Sequence, residues 1–503
     1  MLVSDEARPD VVAARHAAGR RTARENLADL VDPDSFVEYG AFAIAAQRGR
    51  RGVDELIRRT PADGLIGGIG RVNSDLVGAE RSRCAVLSYD YTVLAGTQGT
   101  MGHKKKDRLF EVIRRLRLPT VFFTEGGGGR PGDTDHAIVA GLDTMAFALW
   151  ARMSGIAPRI GVASGRCFAG NAVLLGMCDI IIATPEASIG MGGPVMIEGG
   201  GLGLVDADEV GPTDLHVKSG AVDLEAADEA DAVRLARLAL SYFQGRVAPA
   251  VAPDQAALRE VVPENRRRAY DVRKVINTLA DAGTVLELRP QFARGMVTAL
   301  ARIDGRPLGI VANNPMHLAG AITSEGGDKS ARFLQLCEAF GLPVLSLCDT
   351  PGIMVGPDAE RTGQIRHVSR LFLAGANLTV PHMTVVLRKG YGLGAQAMAG
   401  GSFHANLMTV AWPTAEFGAM GLEGAVKLAM RKELAAIEDE AERAAAFEGM
   451  VAMAYDMGKA LNMATFFEID DVIDPADTRG LVATVLLTDP VAPGAARTFV
   501  DSW

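Results

Sequence analysis

Four short segments of this 503-residue sequence put glycine where a helix or turn follows a strand. Leu94-Ala95-Gly96 follows the run AVLSYDYTV, and Gly170-Asn171 follows RIGVASG. Leu318-Ala319-Gly320 and Gly394-Ala395 recur in the same way later in the chain. A helix start leaves backbone N–H donors without partners, and a glycine lets a ligand approach them closely. Two such donors aimed at one oxygen form an oxyanion hole, which stabilises an enolate-like transition state. Taken singly, each loop reads as a tight turn or a close helix–sheet contact. The wider sequence carries the chemical reading.

The elements that must position these loops occur twice. YTVLAGTQGTMGHKKKDRLFEVIRRLRLPTVFFTEGGGGRPGD and NPMHLAGAITSEGGDKSARFLQLCEAFGLPVLSLCDTPGIMVGPD both read strand, loop, helix, Leu-Pro, strand, glycine loop. One constant offset in numbering aligns Leu94 with Leu318, Lys105 with Lys329, Pro119 with Pro343, and Gly170 with Gly394. Pro185 and Pro413, like Gly190 and Gly418, align only after the offset grows by four, which marks a four-residue insertion. A register held over roughly a hundred residues indicates duplication. Short β-branched runs (TVFF, RIGV, DIIIA; PVLSL, TVVL) alternate with helical stretches, predicting parallel strands joined by right-handed crossovers. The Ala-, Pro- and charge-rich QGRVAPAVAPDQAALREVVPENRRR separates the copies, so domains are expected at 1–250 and 251–503. Residues 426–462 have helical composition and spacing.

Composition narrows the function classes. A net charge of −9 and a pI near 5.5 argue against nucleic acid as a partner. No apolar run reaches the roughly 18 residues of a membrane span. The opening segment carries five arginines together with Asp5, Glu6 and Asp10, and reads as an amphipathic opening helix rather than a transit peptide. A cytoplasmic location is expected. Five scattered cysteines without a C-x-x-C pair indicate free thiols. His103, His136, His317 and His404 lack metal-ligand spacing, and no metal is expected. Asp349-Thr350-Pro351-Gly352 resembles a GTPase DxxG, but no phosphate-binding G-x-x-x-x-G-K-[ST] loop accompanies it. Glu125 and Asp133 are candidate acid/base residues, and Lys104-Lys105-Lys106 with Arg108, Arg114, Arg115 and Arg117 is a candidate phosphate-attracting face or a solvated one.

GRCFAGNAVLLGMCDIIIATPEASIG resembles the second oxyanion loop and following strand of the crotonase superfamily, and TVLAGTQG sits where the first loop sits. Two tandem copies, with RKGYGLGAQAM, AWPTAEFGAMG, DTPGIMVG and IDDVIDPADTRG, resemble the carboxyltransferase (beta) subunit of biotin-dependent acyl-CoA carboxylases over about residues 15–490. The resemblance implies an α/β fold of two tandem crotonase-like ββα-spiral domains. It implies carboxyl transfer from carboxybiotin on a carrier protein to the α-carbon of an acyl-CoA, with no side-chain general base. Gly170 and Asn171 then face the acyl-CoA carbonyl, and Gly394 and Ala395 the biotin ureido oxygen. Ala95, Gly96, Gly127 and Gly128, with Ala319 and Gly320, are the implied substrate-binding residues.

Two departures stand out: Gly170-Asn171 replaces the family's Gly-Gly, after an extra residue in Cys167-Phe168-Ala169. Glu125-Gly126-Gly127-Gly128-Gly129-Arg130 replaces a Ser-Gly-Gly-Ala-Arg loop. The sequence holds no Met-Lys-Met biotin acceptor and no ATP-binding glycine loop. A biotin carboxylase and biotin carboxyl carrier subunit are therefore expected partners, and the resemblance implies a homo-oligomer, dimer or hexamer. Open alternatives are the decarboxylase or transcarboxylase direction, and a biotin-independent hydratase or isomerase of CoA esters.

Overall fold

The protein is described from a computed structural model covering residues 4–135, 141–487 and 499–503. The chain divides into two compact units, Met1–Gly245 with Arg497–Ser502, and Arg246–Ala496 with Trp503.

The first unit is built on strands β1 (Val37–Glu38), β2 (Leu65–Arg71), β3 (Arg83–Tyr89), β4 (Thr120–Phe123), β5 (Arg159–Ala163), β6 (Arg166–Phe168), β7 (Ile180–Ala183), β8 (Ser188–Gly190) and β9 (Leu224–Glu225). Seven form one sheet in the order β1-β2-β3-β4-β5-β7-β9, while β6 and β8 pair separately. Pairing is antiparallel from β1 to β3 and parallel beyond. The expected parallel strands are therefore present, behind an antiparallel edge that the sequence pattern did not announce. The reason lies in β2 itself, LIGGIGR, whose glycines dilute the β-forming signal. They are needed there: a Cβ at Gly67 would stand 2.6 Å from Leu109 Cδ1, on the helix packed over the sheet.

That helix, α1 (Thr100–Leu116), follows the Leu94-Ala95-Gly96 turn and lays Leu109, Phe110 and Ile113 on the sheet. Phe110 stacks on Trp150 at 4.8 Å between ring centroids, and Phe122 meets Trp150 edge-on. A second helix, α2 (Gly170–Gly176), connects β6 to β7. At the N-terminus the single opening helix resolves into two, Pro9–Ala17 and Ala23–Leu30. Gly19, with φ of 70°, breaks the chain between them, and Thr22 and Glu25 close a capping box.

The second unit repeats this plan with β10 (Leu286–Leu288), β11 (Met296–Ile303), β12 (Arg306–Asn313), β13 (Val344–Thr350), β14 (His382–Tyr391), β15 (Met408–Ala411), β16 (Glu416–Gly418) and β17 (Asp471–Val472). The order is β10-β11-β12-β13-β14-β15-β17, again antiparallel over the first pairs and parallel after β12. Here β14 runs unbroken where the first unit has β5 and β6, and its end pairs with β16 as β6 pairs with β8. Helices α3 (Ser324–Phe340) and α4 (Gly392–Met398) take the places of α1 and α2. Leu308, Ile310, Leu345, Leu347, Val385 and Trp412 centre this core. The four-residue insertion falls between α4 and β15, and the helical composition after it forms Leu422–Ala429, Arg431–Ala435 and Glu440–Met457. No helix among the described residues is long and apolar enough to cross a membrane.

Candidate active site

In the first unit, Leu94, Ala95 and Gly96 are three consecutive left-handed residues, with φ of 50°, 53° and 62°. For the two non-glycine residues this conformation costs about 1–2 kcal/mol each. The turn is held in spite of that cost. Gly96 N donates to Val93 O at 3.1 Å, Thr97 Oγ1 to Leu94 O at 2.6 Å, and Gly127 N to Ala95 O at 3.1 Å. What the strain achieves is an exposed Ala95 whose own amide has no acceptor among the described residues. At the mouth of α2 the amides of Gly170 and Asn171 are likewise without acceptors among the described residues. Gly170 is half-buried, and Asn171 is fully buried.

Asn171 ties these pieces together with its side chain. Its Oδ1 accepts from Gln98 Nε2 at 2.9 Å and from Gly128 N at 3.2 Å; its Nδ2 donates to Thr124 O at 3.2 Å and Gly96 O at 3.4 Å. The departure from Gly-Gly thus becomes a cross-brace for the Ala95 turn, the glycine loop and the helix start. Gly126 makes room for it, since a Cβ there would overlap Asn171 Nδ2. The extra residue is absorbed at Ala169, which takes φ of 50° and donates its amide to Gly190 O at 3.0 Å. Gly127 and Gly128 spend their amides on Ala95 and Asn171, so they shape the loop and offer no N–H to a ligand.

The second unit reproduces the loop geometry. Leu318, Ala319 and Gly320 have φ of 47°, 53° and 88°. Ile322 N donates to Gly352 O at 3.1 Å and Met354 N to Ile322 O at 2.9 Å, as Gln98 N does to Gly128 O at 2.7 Å and Arg130 N to Gln98 O at 2.9 Å. Ala319 is exposed, and Lys389 Nζ reaches its carbonyl at 3.0 Å. Gly394 is among the first residues of α4, whose amides have no intrahelical acceptor, whereas Ala395, the fourth residue, gives its amide to the first helical turn. Their setting differs from expectation, however. The helix opens at Gly392, so Gly394 is its third residue and both Gly394 and Ala395 are buried. A Cβ at Gly394 would stand 2.7 Å from Gly352 Cα and C, so this glycine is required for α4 to seat on the loop. Gly352 escaped notice because its DTPG setting mimics an unrelated motif. The available signal was the repeat register, which aligns it with Gly128.

The charged candidates are accounted for by the fold. Glu125 is half-buried and receives both guanidinium nitrogens of Arg15, at 3.2 and 2.5 Å; desolvation still pushes its carboxyl upward. Asp133 Oδ2 accepts from Thr100 N at 2.8 Å, capping the start of α1. Arg130 closes on Asp63 with two contacts of 2.7 Å. None of these carboxylates faces an open site as a hydratase acid would. Of the lysine cluster, Lys104, Arg108, Arg114, Arg115 and Arg117 are exposed, but Lys105 and Lys106 are buried and cannot serve a phosphate. Lys105 donates to Leu65 O and Gly40 O; Lys329, its counterpart in the second copy, donates to three carbonyls at 2.8–2.9 Å. Burial pushes His103 down to about 3, while His317 and His404 are exposed and His136 lies outside the described residues. All five cysteines are buried and unpaired. No cluster of His, Cys, Asp or Glu suited to a metal occurs among the described residues.

A cavity of about 720 Å³ adjoins α4, lined among others by Gly392, Gln396, Phe403, Phe417, Met457 and Phe467. Its size is that of a small-molecule site.

Known proteins share this arrangement. The carboxyl transferase domain model matches residues 14–488. The methylmalonyl-CoA carboxyltransferase 12S subunit of Propionibacterium freudenreichii subsp. shermanii is 35% identical, covering 94% of this chain and 90% of its own. The propionyl-CoA carboxylase beta chain of Saccharopolyspora erythraea is 32% identical, with 94% and 88% covered. Among solved structures, a single-chain, multi-domain long-chain acyl-CoA carboxylase is 57% identical with a TM-score of 0.91. The match takes in 96% of this chain but only 47% of that one. A transcarboxylase 12S hexamer with methylmalonyl-CoA bound is 32% identical with a TM-score of 0.83, covering 97% and 94%. With nearly its whole length matched, two crotonase-like units and the glycine loops intact, the chain belongs to the carboxyl transferase domain family and is an acyl-CoA carboxylase carboxyltransferase subunit.

Proposed function

We propose that the first unit holds an acyl-CoA by its thioester oxygen and the second holds the ureido group of carboxybiotin. The observation that carries this division is the repetition of one device. Each unit has a strained Leu-Ala-Gly turn and, beside it, a helix start that leaves amides without an intrahelical acceptor, those of Gly170 and Asn171 in the first and that of Gly394 in the second. Transfer of a carboxyl group from biotin N1 to an α-carbon passes through two enolate-like species, and each gains from N–H donors at its oxygen. In this reading Ala95, Gly170 and Asn171 serve the acyl-CoA, with Gly96, Gly127 and Gly128 forming the loop behind them. Ala319 and Gly394 serve the biotin, with Ala395, Gly320 and Gly352 behind, and the cavity beside α4 has room for its bicyclic ring. Biotin supplies the carboxyl carrier and, once decarboxylated, the base; this chain binds, orients and excludes water.

The biotin carboxylase and the biotin carrier are supplied from outside these 503 residues, and the working assembly is a homo-oligomer, a hexamer by analogy with the 12S core. The 57% identity to a long-chain acyl-CoA carboxylase favours a long acyl-CoA over propionyl-CoA as substrate. The test is bicarbonate fixation with the biotinylated partner across acyl-CoAs from two to sixteen carbons. Long-chain preference is expected, and an optimum at three carbons or fewer refutes it. The 12S likeness supports a second reading, transfer between two CoA esters; omission of ATP in the same assay separates the two.

A further inference from the structure

Of the polar groups buried near the first glycine loops, one has no task in the mechanism above. Lys106 is fully buried, and its ammonium has a single hydrogen-bond partner among the described residues, Gln98 Oε1 at 2.5 Å. Its remaining surroundings are the rings of Tyr89 and Phe147, 5.6 and 6.0 Å from Nζ. Lys105 and Lys329 show what a merely structural lysine looks like in this fold: their donors go to backbone carbonyls. Lys106 instead fixes a side chain. Gln98, itself buried, passes the contact on through Nε2 to Asn171 Oδ1 at 2.9 Å, the atom that also receives Gly128 N. Gln98 lies directly beneath the helix start, where a Cβ on Gly170 would be 3.0 Å from Nε2.

The second unit lacks every member of this chain. At the equivalent positions of the repeat, Ile322 stands for Gln98, Ser330 for Lys106 and Ala395 for Asn171. Buried Ser330 Oγ has no hydrogen-bond partner among the described residues. Three side chains that touch one another in one copy are therefore absent together from the other, although the loop backbones match. A relay confined to one of two equivalent holes answers a need of the ligand at that hole, not of the fold. Resting on the assignment of the first unit to the acyl-CoA, we propose that Lys106 is a positioning residue for the acyl-CoA hole, acting through Gln98 and Asn171 to hold the donors at Ala95 and Gly170 in place.

The lysine's titration gives the proposal a signature. Burial pushes its ammonium down to about 7, opposed only by Asp107 beside it. The other titratable groups around it are His103 on the same helix, which burial and Lys106 keep neutral near pH 7, and Tyr89 on β3, whose hydroxyl is uncharged. The paired Arg130 and Asp63 lie beyond Tyr89, and Asp133 beyond His103. As pH rises through about 7 the ammonium becomes an amine, a weaker donor to Gln98, and the brace on Asn171 loosens.

The experiment measures carboxyl transfer from a carboxyacyl-CoA to free biotin for wild type, Lys106→Met, Gln98→Leu and Gly170→Ala, between pH 6 and 9. Lys106→Met and Gln98→Leu are expected to lower kcat roughly tenfold at pH 6.5, with KM for free biotin unchanged. The fall in kcat above pH 7 seen in wild type should vanish in Lys106→Met. Lys106→Arg, which keeps a charged donor throughout, should retain activity and also lose the inflection. Melting temperature controls for folding, because Lys106→Met removes a buried ammonium but also leaves Gln98 Oε1 without its donor. If Lys106→Met melts like wild type and keeps both its kcat and its pH profile while Gly170→Ala is impaired, the relay is wrong and the hole assignment stands. If Gly170→Ala is also unimpaired, the assignment falls and the relay with it.

Discussion

At Asn171 a single side chain braces the Ala95 turn, the glycine loop and the helix start of the first unit. Truncation to alanine removes two acceptor and two donor contacts and leaves Gln98 Nε2, Gly128 N and Gly96 O short of partners inside the protein. Each buried group left unpaired costs about 1–3 kcal/mol. Asn171→Ala is therefore expected to lower stability by about 3 kcal/mol in urea denaturation, and to slow transfer further than the stability loss explains. The sequence singles out residue 171 by its position after a helix-opening glycine. Its mechanism was not legible there, because spacing cannot say that the side chain turns inward. The same limit explains Gly127 and Gly128. Glycines in a run mark a loop near the site, but only the hydrogen bonds show that their amides are already spent.

Elements rather than residues account for the charged side chains. Arg159 and Asp179, both about 2% exposed, join the starts of β5 and β7 through Arg159 N at 2.8 Å, Nε at 3.3 Å and Nη2 at 3.1 Å. Removing one member strands a buried charge, so Asp179→Ala should destabilise the protein by about 3–5 kcal/mol as read by denaturant unfolding. Helix α1 sets a pH dependence of its own. His103 titrates near 3 when folded against an ordinary 6.5, so the unfolded chain binds more protons between those values. Stability from this group is complete above pH 6.5 and is lost as pH falls towards 3. His103→Gln should flatten that acid limb in thermal melts between pH 4 and 7, and an unchanged slope would contradict it. The sequence predicted α1 as a helix with a basic cluster. That Lys105 and Lys106 point inward was hidden, since lysine is rarely buried and periodicity alone assigns it to water. The opening of α4 at Gly392 shows a related limit, because YGLGAQ offers two glycines and no capping residue to choose between them.

On the scale of the whole molecule, duplication was the feature most legible in the sequence. A constant offset between the copies placed both turns, both helices and both glycine loops, and the structure shows the same strand order twice. What it could not show is which side chains meet under the matching backbones, where Asn171 stands against Ala395, Gln98 against Ile322 and Lys106 against Ser330. The division of labour proposed for the units predicts separable defects. Carboxyl transfer from a long-chain carboxyacyl-CoA to free biotin, with kcat and KM determined for both substrates in Gly170→Ala and Gly394→Ala, tests it most directly. Circular dichroism serves as the control, because a side chain at Gly394 presses on Gly352. Alanine keeps the backbone N–H at either position but puts a Cβ beside it, and a ligand oxygen held off its donor loses a hydrogen bond worth on the order of a hundredfold in rate. Gly170→Ala should lose turnover with its KM for biotin intact, and Gly394→Ala should lose turnover and biotin saturation with its CoA-ester KM intact. Identical defects in the two variants, or normal biotin kinetics in a folded Gly394→Ala, would contradict the assignment of one ligand to each unit.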